Sequence, residues 1–306
     1  MKHLFQNFIE IKGGLSNKKV FRILGKKLNK ILIDFSRDKG EFDNFLKIYE
    51  ILKKINVSIP RIYEVHSVKK IIVMEDFGSE TFDKIFREKE QYDLLKLAVD
   101  NLIVIENLIT KDNLSNLKKY KYIDFKKEIS ELVDYYIPYK NITDFPIELF
   151  YNSWKTAYHS NKFDLNYFVH KDFEFINLIF LSKKNFHLKC GIIDFQSAFV
   201  GFKGWDLFTV LENPRLDFSR EYNEFLIRYF YENTNVTQNY NSFRNQYYLL
   251  NLGRQTRLLG RWVKLFKQGN KNYLKYIKPT KKRIIYALPN IKNNKLKEIY
   301  ERFLLD

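Results

Sequence analysis

His170, Asp172 and Asn177 stand in the order His-x-Asp-x-x-x-x-Asn, and Asp194 follows on the apolar run Gly191-Ile192-Ile193-Asp194-Phe195-Gln196. That set of groups suits phosphoryl transfer. A carboxylate at 172 can lie against a hydroxyl that attacks a γ-phosphate. An amide oxygen at 177 can reach a Mg²⁺ ion from the same side, and a second carboxylate at 194 completes the metal's protein ligands. The apolar neighbours of each polar residue would bury the backbone and aim the polar groups into one cleft. The first spacing alone is a weak signal. With Ile-Ile-Asp-Phe downstream, among short strands and behind a strand-rich first segment, it becomes a strong one. The competing reading is a buried Asp-Asn hairpin with a core histidine.

These residues need elements to hold them. Between 168 and 199 the apolar runs Asn177-Leu178-Ile179-Phe180 and Cys190-Gly191-Ile192-Ile193 read as an island of strands. Upstream, residues 8–11, 19–24 and 31–35 read as three strands, the first two joined across Gly13-Gly14-Leu15-Ser16-Asn17. Phe42, Phe45, Leu46, Tyr49 and Leu52 share one face of a helix. Ile59-Pro60 closes that passage, because a residue before proline avoids helical geometry. Residues 62–65 and 71–74 form a hairpin across Lys69-Lys70. From Thr81 the pattern turns helical: Leu95, Ala98, Leu102, Ile105 and Ile109 mark one amphipathic helix. Residues 124–137 and 146–160 mark further helices set apart by Pro138 and Pro146, and helices follow the island to the end. The pattern predicts an α+β chain: a small lobe at 1–78, an antiparallel sheet with one helix, and a larger, mainly helical lobe at 79–306.

The chain has 306 residues, 45% hydrophobic and 29% charged, enough for a sizeable core. No run approaches the roughly 18 apolar residues of a spanning helix, so no membrane is expected. The opening MKHLFQNFIEIKGG lacks the apolar block and cleavage site of a secretory signal. One cysteine, Cys190, offers no internal disulfide, and no Cys/His spacing suggests zinc. A cytoplasmic protein is expected. Its 53 Lys+Arg against 36 Asp+Glu give +17, which would suit nucleic acid, anionic lipid or a polyphosphate ligand. The lysines are scattered as short pairs through every region, the pattern of drift towards AT-rich codons, so nucleic acid is not the expected partner.

The segments FVHKDFEFINLIF and GIIDFQSAFVGFKGWDL resemble the signature of the aminoglycoside phosphotransferase and choline kinase-like superfamily. The resemblance implies a bilobal protein-kinase-like fold with ATP and Mg²⁺ as cofactors, in which the lobe at 1–78 binds nucleotide and the lobe at 79–306 carries catalysis and substrate binding. It places Asp172 as the catalytic base, Asn177 and Asp194 as metal ligands, and His170 as a structural brace of the catalytic turn. Asp206, in Gly201-Phe-Lys-Gly-Trp205-Asp206-Leu207, matches an Asp that ties the loop down from a following helix. Three details are similar to the bacterial cell-wall amino-sugar kinases: Asp194-Phe195-Gln196-Ser197-Ala198, the early stretch Gly14-Leu-Ser-Asn-Lys-Lys-Val-Phe-Arg22, and Arg254-Gln255-Thr256-Arg257-Leu-Leu-Gly260. That branch implies a small-molecule acceptor, the anomeric hydroxyl of N-acetylmuramate or N-acetylglucosamine, as in peptidoglycan recycling. The alternatives are a choline, ethanolamine or aminoglycoside kinase, and a non-catalytic kinase-like module that binds RNA or protein.

The chain departs from the superfamily pattern on its third strand, where Asp34 stands at the place of the lysine that clamps the α- and β-phosphates. The amino-sugar branch has Val-Met-Asp there. Lys30, Lys18 and Lys19 are possible substitutes, each read first as a solvated surface charge. Neither Glu41 nor Glu50 has the spacing of the lysine's usual helix partner. Gly14, Ser16 and Asn17 could lay backbone N–H groups over phosphates. Met74-Glu75-Asp76-Phe77-Gly78 sits where an interlobe hinge would meet adenine, with Glu75 and Phe77 as its nucleotide contacts. Gln196 could hydrogen-bond a sugar hydroxyl, and Arg215 could meet a lactyl carboxylate. A +17 chain without an obvious acidic cluster fits a neutral or anionic sugar better than a cation.

Overall fold

The computed structural model describes residues 8–11, 18–26, 28–89 and 93–304. Five strands, β1 (Phe8–Glu10), β2 (Lys19–Ile23), β3 (Lys30–Asp34), β4 (Ile62–His66) and β5 (Ile71–Glu75), form one antiparallel sheet in the order β1-β2-β3-β5-β4. Helix α1 (Lys39–Leu52) starts where the Asp38 carboxylate accepts the Glu41 N–H at 3.1 Å. Its Phe42, Phe45, Tyr49 and Leu52 are buried as the helical period predicts, while Leu46 of the same predicted face is half-buried and Ile48 is buried instead. Phe35, just past β3, packs its ring against Phe42 and Phe45 at 6.0 and 5.6 Å. The β4–β5 turn passes through Lys70 at φ 54°, whose ammonium lies 3.0 Å from Asp43 and over the Phe42 ring.

Helices α2 (Phe82–Lys89) and α3 (Asp93–Leu108) follow the sheet. The island resolves into two ladders: β6 (Tyr167–Val169) with β9 (Phe199–Gly201), and β7 (Leu178–Phe180) with β8 (Cys190–Ile192). Packing divides the chain into two compact units, one of residues to Asn113 with His170–Ala198, the other of Leu114–Val169 with the residues from Phe199. The local pattern changes from strand to helix near 78/79, while α2, α3 and the β7–β8 hairpin pack in the same unit as the sheet. In this first unit, Ser58 bridges to Gly191 and Thr81 to Ile179. The Ile192 N–H donates to the Ser58 carbonyl at 2.8 Å. Buried Asn101 of α3 donates its amide to the His187 carbonyl at 3.1 Å, fixing the approach to β8.

The second unit is helical. It contains α4 (Tyr122–Glu131), a π-turn over Leu132–Tyr136, the single turn α5 (Ile137–Tyr139), α6 (Ile147–Ser160), α7 (Trp205–Leu211), α8 (Arg220–Glu232), α9 (Tyr240–Lys267), α10 (Ile277–Ala287) and α11 (Asn294–Phe303). The first of the two helices around Pro138 runs through it and stops at Tyr139, and α6 begins at Ile147. The π-turn widens the helix just before Pro138, and the chain stays helical through a residue with no N–H to give. Gly260 of α9 lies against this stretch: a Cβ there would sit 1.9 Å from the Glu131 carbonyl oxygen. The neighbouring Arg261 grips the Glu131 carboxylate with two hydrogen bonds, at 2.7 and 2.6 Å.

Candidate active site

The loop from His170 to Asn177 is held by its own backbone and by aromatic anchors. Phe173 and Phe175 are buried, and the Phe175 ring packs edge-on against Phe82 of α2 at 5.5 Å. The Asp172 carbonyl accepts the Glu174 N–H at 2.8 Å and the Asn177 side-chain amide at 2.9 Å. With its NH₂ on that carbonyl, Asn177 turns its amide oxygen away and leaves it as an acceptor. The Asn177 carbonyl takes the Ile193 N–H at 3.1 Å, since β7 and β8 pair directly beside it. His170 Nε2 lies 3.2 Å from the Ile193 carbonyl, so that nitrogen carries the proton and ties the loop to the residue before Asp194. Burial above all holds the His170 pKa down to about 4, against the pull of Asp194 and the Ile193 carbonyl. The imidazole is therefore neutral at physiological pH and acts as a brace.

Asp194 adopts φ 66° and ψ 37°, the left-handed region, so the chain turns sharply as it leaves β8. The next residue, Phe195, stacks on Phe45 of α1 at 4.6 Å and pins that turn to the sheet unit. The Asp194 carboxylate accepts the Lys18 ammonium and, at 3.1 Å, the Gln196 amide. Burial pushes its carboxyl up, but the Lys18 charge, the two hydrogen bonds and His170 outweigh it, and the pKa lies below the ordinary value.

The other sequence-predicted residues fall as follows. Gln196 is only 4% exposed; it points at Asp194, and its backbone carbonyl accepts the Asn44 amide from α1. Glu75 ends β5 and accepts the Arg61 N–H at 3.2 Å. Phe77 lies beyond it with its ring over Gly191, where a Cβ would come within 2.7 Å of Phe77 Cδ2. Gly14, Ser16 and Asn17 lie outside the described residues, although the strands flanking their loop pair through Ile11 N–H on the Val20 carbonyl at 2.8 Å. In the second unit, Asp206 is buried in the first turn of α7. Arg215 lays its guanidinium over the rings of Trp262 and Tyr276 at 5.3 and 5.9 Å. Arg254, Gln255 and Thr256 are core residues of α9, Gln255 donating to the Glu212 carbonyl at 3.0 Å.

Three side chains gain a place that sequence reasoning did not give them. Arg22 of β2 holds Asp76 with hydrogen bonds of 2.5 and 3.0 Å and reaches the Gly78 carbonyl at 3.1 Å, fastening the strand to the hinge segment. Asn44 faces the Asp194 turn from the helix where a glutamate was sought. Lys18 is not a solvated charge: its side chain is 9% exposed and paired with Asp194. Lys19 is exposed, and Lys30 is 40% exposed beside Glu64. Asp34, at the clamp position, accepts the Ser36 N–H at 2.8 Å and shapes the turn after β3.

The donors fit Mg²⁺. Among the described residues no group of three or more His, Cys, Asp or Glu could hold a metal. What the site offers is one ionised carboxylate, already drawing a lysine cation, and one free-facing amide oxygen. That is too few ligands for a closed protein cage, and it suits an ion that keeps waters and takes phosphate oxygens.

The five-stranded antiparallel sheet, with the His170–Asn177 loop and the Asp194 turn packed in the same unit, has the arrangement of a kinase-like phosphotransferase fold. The model of the Phosphotransferase enzyme family matches residues 7–241, and the chain belongs to that family. The N-acetylmuramate/N-acetylglucosamine kinase of Caulobacter vibrioides is 23% identical over 191 residues, 60% of this chain and 53% of that protein. The chain thus aligns with about half the length of that curated relative. Similar solved structures are an ADP-bound aminoglycoside phosphotransferase APH(2'')-Ib (TM-score 0.60, 17% identity, 92% of this chain and 94% of that one), a Plasmodium vivax ethanolamine kinase (0.60, 14%, 92% and 80%) and a choline kinase from Streptococcus pneumoniae (0.60, 15%, 90% and 94%). At these identities they establish the fold. No helix among the described residues is long and apolar enough to cross a membrane.

Proposed function

We propose that this protein is an ATP-dependent kinase that phosphorylates the anomeric hydroxyl of an amino sugar of the N-acetylmuramate or N-acetylglucosamine type. The observation that carries the reading is the stitching of Asp172, Asn177 and Asp194 into one unit through the Asp172 carbonyl, the Asn177 carbonyl and the His170–Ile193 bond. Mg²⁺, held by Asn177 and Asp194, would neutralise charge on the transferring phosphates. Asp172 orients the acceptor hydroxyl and takes its proton as the phosphoryl group leaves the nucleotide, and an anomeric hydroxyl, more acidic than an ordinary alcohol, suits so weak a base. His170 and the buried Asp206 support the site without entering the chemistry. Glu75 and Phe77 belong to the hinge that meets adenine, with Gly14, Ser16 and Asn17 over the phosphates. Arg215 is the candidate partner of an acceptor carboxylate, and Gln196 acts through Asp194. The likeness to the Caulobacter kinase and the three sequence details support the amino sugar, and the net charge of +17 disfavours a cationic acceptor.

A coupled ADP-release assay across N-acetylmuramate, N-acetylglucosamine, choline, ethanolamine and an aminoglycoside tests the acceptor. Turnover is expected with the amino sugars; turnover with only the amino alcohols or aminoglycoside overturns that choice. Asp172→Asn and Asp194→Ala should each lower kcat by about a hundredfold or more, with the circular dichroism spectrum unchanged. Near-normal rates from either variant overturn the site assignment.

A further inference from the structure

We infer that Lys18, at the entry to β2, is the phosphate-clamping cation of this protein, its ammonium directed to the Asp194 side of the site. The inference rests on the kinase reading above and deepens it. Three observations on different elements converge. The third strand carries Asp34 at the usual clamp position, and that carboxylate is engaged with the Ser36 N–H, so no cation comes from there. Of the three lysines near the front of the sheet, Lys19 is exposed and Lys30 is committed to Glu64 and the Tyr63 ring at its far edge. Only Lys18 carries its charge inward, with a side chain 9% exposed and an ammonium on the Asp194 carboxylate. Its backbone directly follows the loop expected to cover the phosphates and precedes β2, which pairs along its whole length with β3. A cation held there reaches the Asp194 side of the site from strand β2 rather than from β3.

Lys18 then has two partners in turn. Its ammonium meets the Asp194 carboxylate in a partly buried turn, where an unpaired charge would be costly. With nucleotide, the α- and β-phosphate oxygens present more negative charge than one carboxylate, and the ammonium transfers to them as a point-charge donor. Asp194 is thereby released to its metal. Lys18 and a divalent cation both draw on the Asp194 carboxylate, and the phosphates of a bound nucleotide offer both a second set of oxygens.

Equilibrium binding of adenosine, ADP and ATP to the purified full chain, in EDTA and without acceptor, tests this. Lys18→Met should weaken ADP and ATP by about tenfold to a hundredfold, the size of a lost charge-assisted hydrogen bond, and leave adenosine unchanged. Lys18→Arg should recover most of the loss, and Lys19→Met and Lys30→Met should behave as wild type. In the absence of nucleotide, Lys18→Met should also gain thermal stabilisation from MgCl₂ that wild type lacks, since Asp194 has lost its counter-ion. Equal weakening of adenosine and ATP, or full ATP affinity in a folded Lys18→Met variant, overturns the assignment. Wild-type protein that binds none of the three even when MgCl₂ replaces EDTA overturns the kinase reading instead.

Discussion

At the scale of single residues, His170 shows how a charged-looking motif position can work by staying neutral. Its Nε2–H serves the Ile193 carbonyl, and burial keeps a second proton off until about pH 4. An unfolded histidine takes up that proton near 6.5. Between these values the unfolded chain binds more protons than the folded one, so stability rises with pH through the window and is level above it. The full contribution is about 3 kcal/mol, present above pH 6.5 and lost by pH 4. Urea midpoints of the metal-free protein from pH 4 to 7 should show this slope, and His170→Gln, which keeps a donor for the carbonyl, should flatten it. Equal slopes in the two proteins contradict a buried neutral brace. Lys18 is the opposite lesson at this scale. Nothing local distinguishes it from the exposed Lys19, and its partner Asp194 stands far along the chain.

At the scale of elements, the site is set by pairs of aromatic and glycine residues that fix one segment against another. Phe45 holds the Asp194 turn, Phe82 holds the catalytic loop, and Phe77 lies across Gly191. The last contact can be tested by a double-mutant cycle. A Cβ at 191 would meet Phe77 at 2.7 and 2.9 Å and Leu181 at 3.1 Å. Gly191→Ala should therefore cost about 1–3 kcal/mol of stability through overpacking and weaken ATP through the displaced hinge. In a Phe77→Ala background the same change should cost much less, and equal costs in both backgrounds deny the contact. The strands and α1 were legible because each rests on local periodicity, and the spacing of His170, Asp172, Asn177 and Asp194 because it is fixed in the chain. The pairings Asn44–Gln196 and Arg22–Asp76 were not, since neither side of a long-range pair marks the other in one sequence. Pro138 forecasts a break, which comes after Tyr139, but nothing in the sequence marks the π-turn ahead of it that lies beside Gly260 of α9.

For the whole molecule, the sequence located a change of local pattern near residue 78, whereas the compact units are defined by contacts that return the segment His170–Ala198 to the sheet. A property that needs no such geometry is net charge. At +17 the protein surrounds itself with a positive potential that attracts anions and repels cations over about 10 Å at 0.1 M salt. If the acceptor is an amino sugar, this field acts on its two forms differently. N-acetylmuramate carries a carboxylate and N-acetylglucosamine is neutral, so only the first is drawn in from a distance. Its kcat/KM should fall several-fold as NaCl rises from about 0.02 to 0.3 M, while that for N-acetylglucosamine stays level. Choline, a cation, should show the reverse, with any turnover increasing as salt screens the repulsion. Measuring all three over one salt series removes effects on ATP binding, which are common to every acceptor and cancel in the ratios. Identical salt profiles for anionic and neutral acceptors would mean that the excess lysines lie too far from the acceptor's path to act on it, leaving codon drift as their whole explanation.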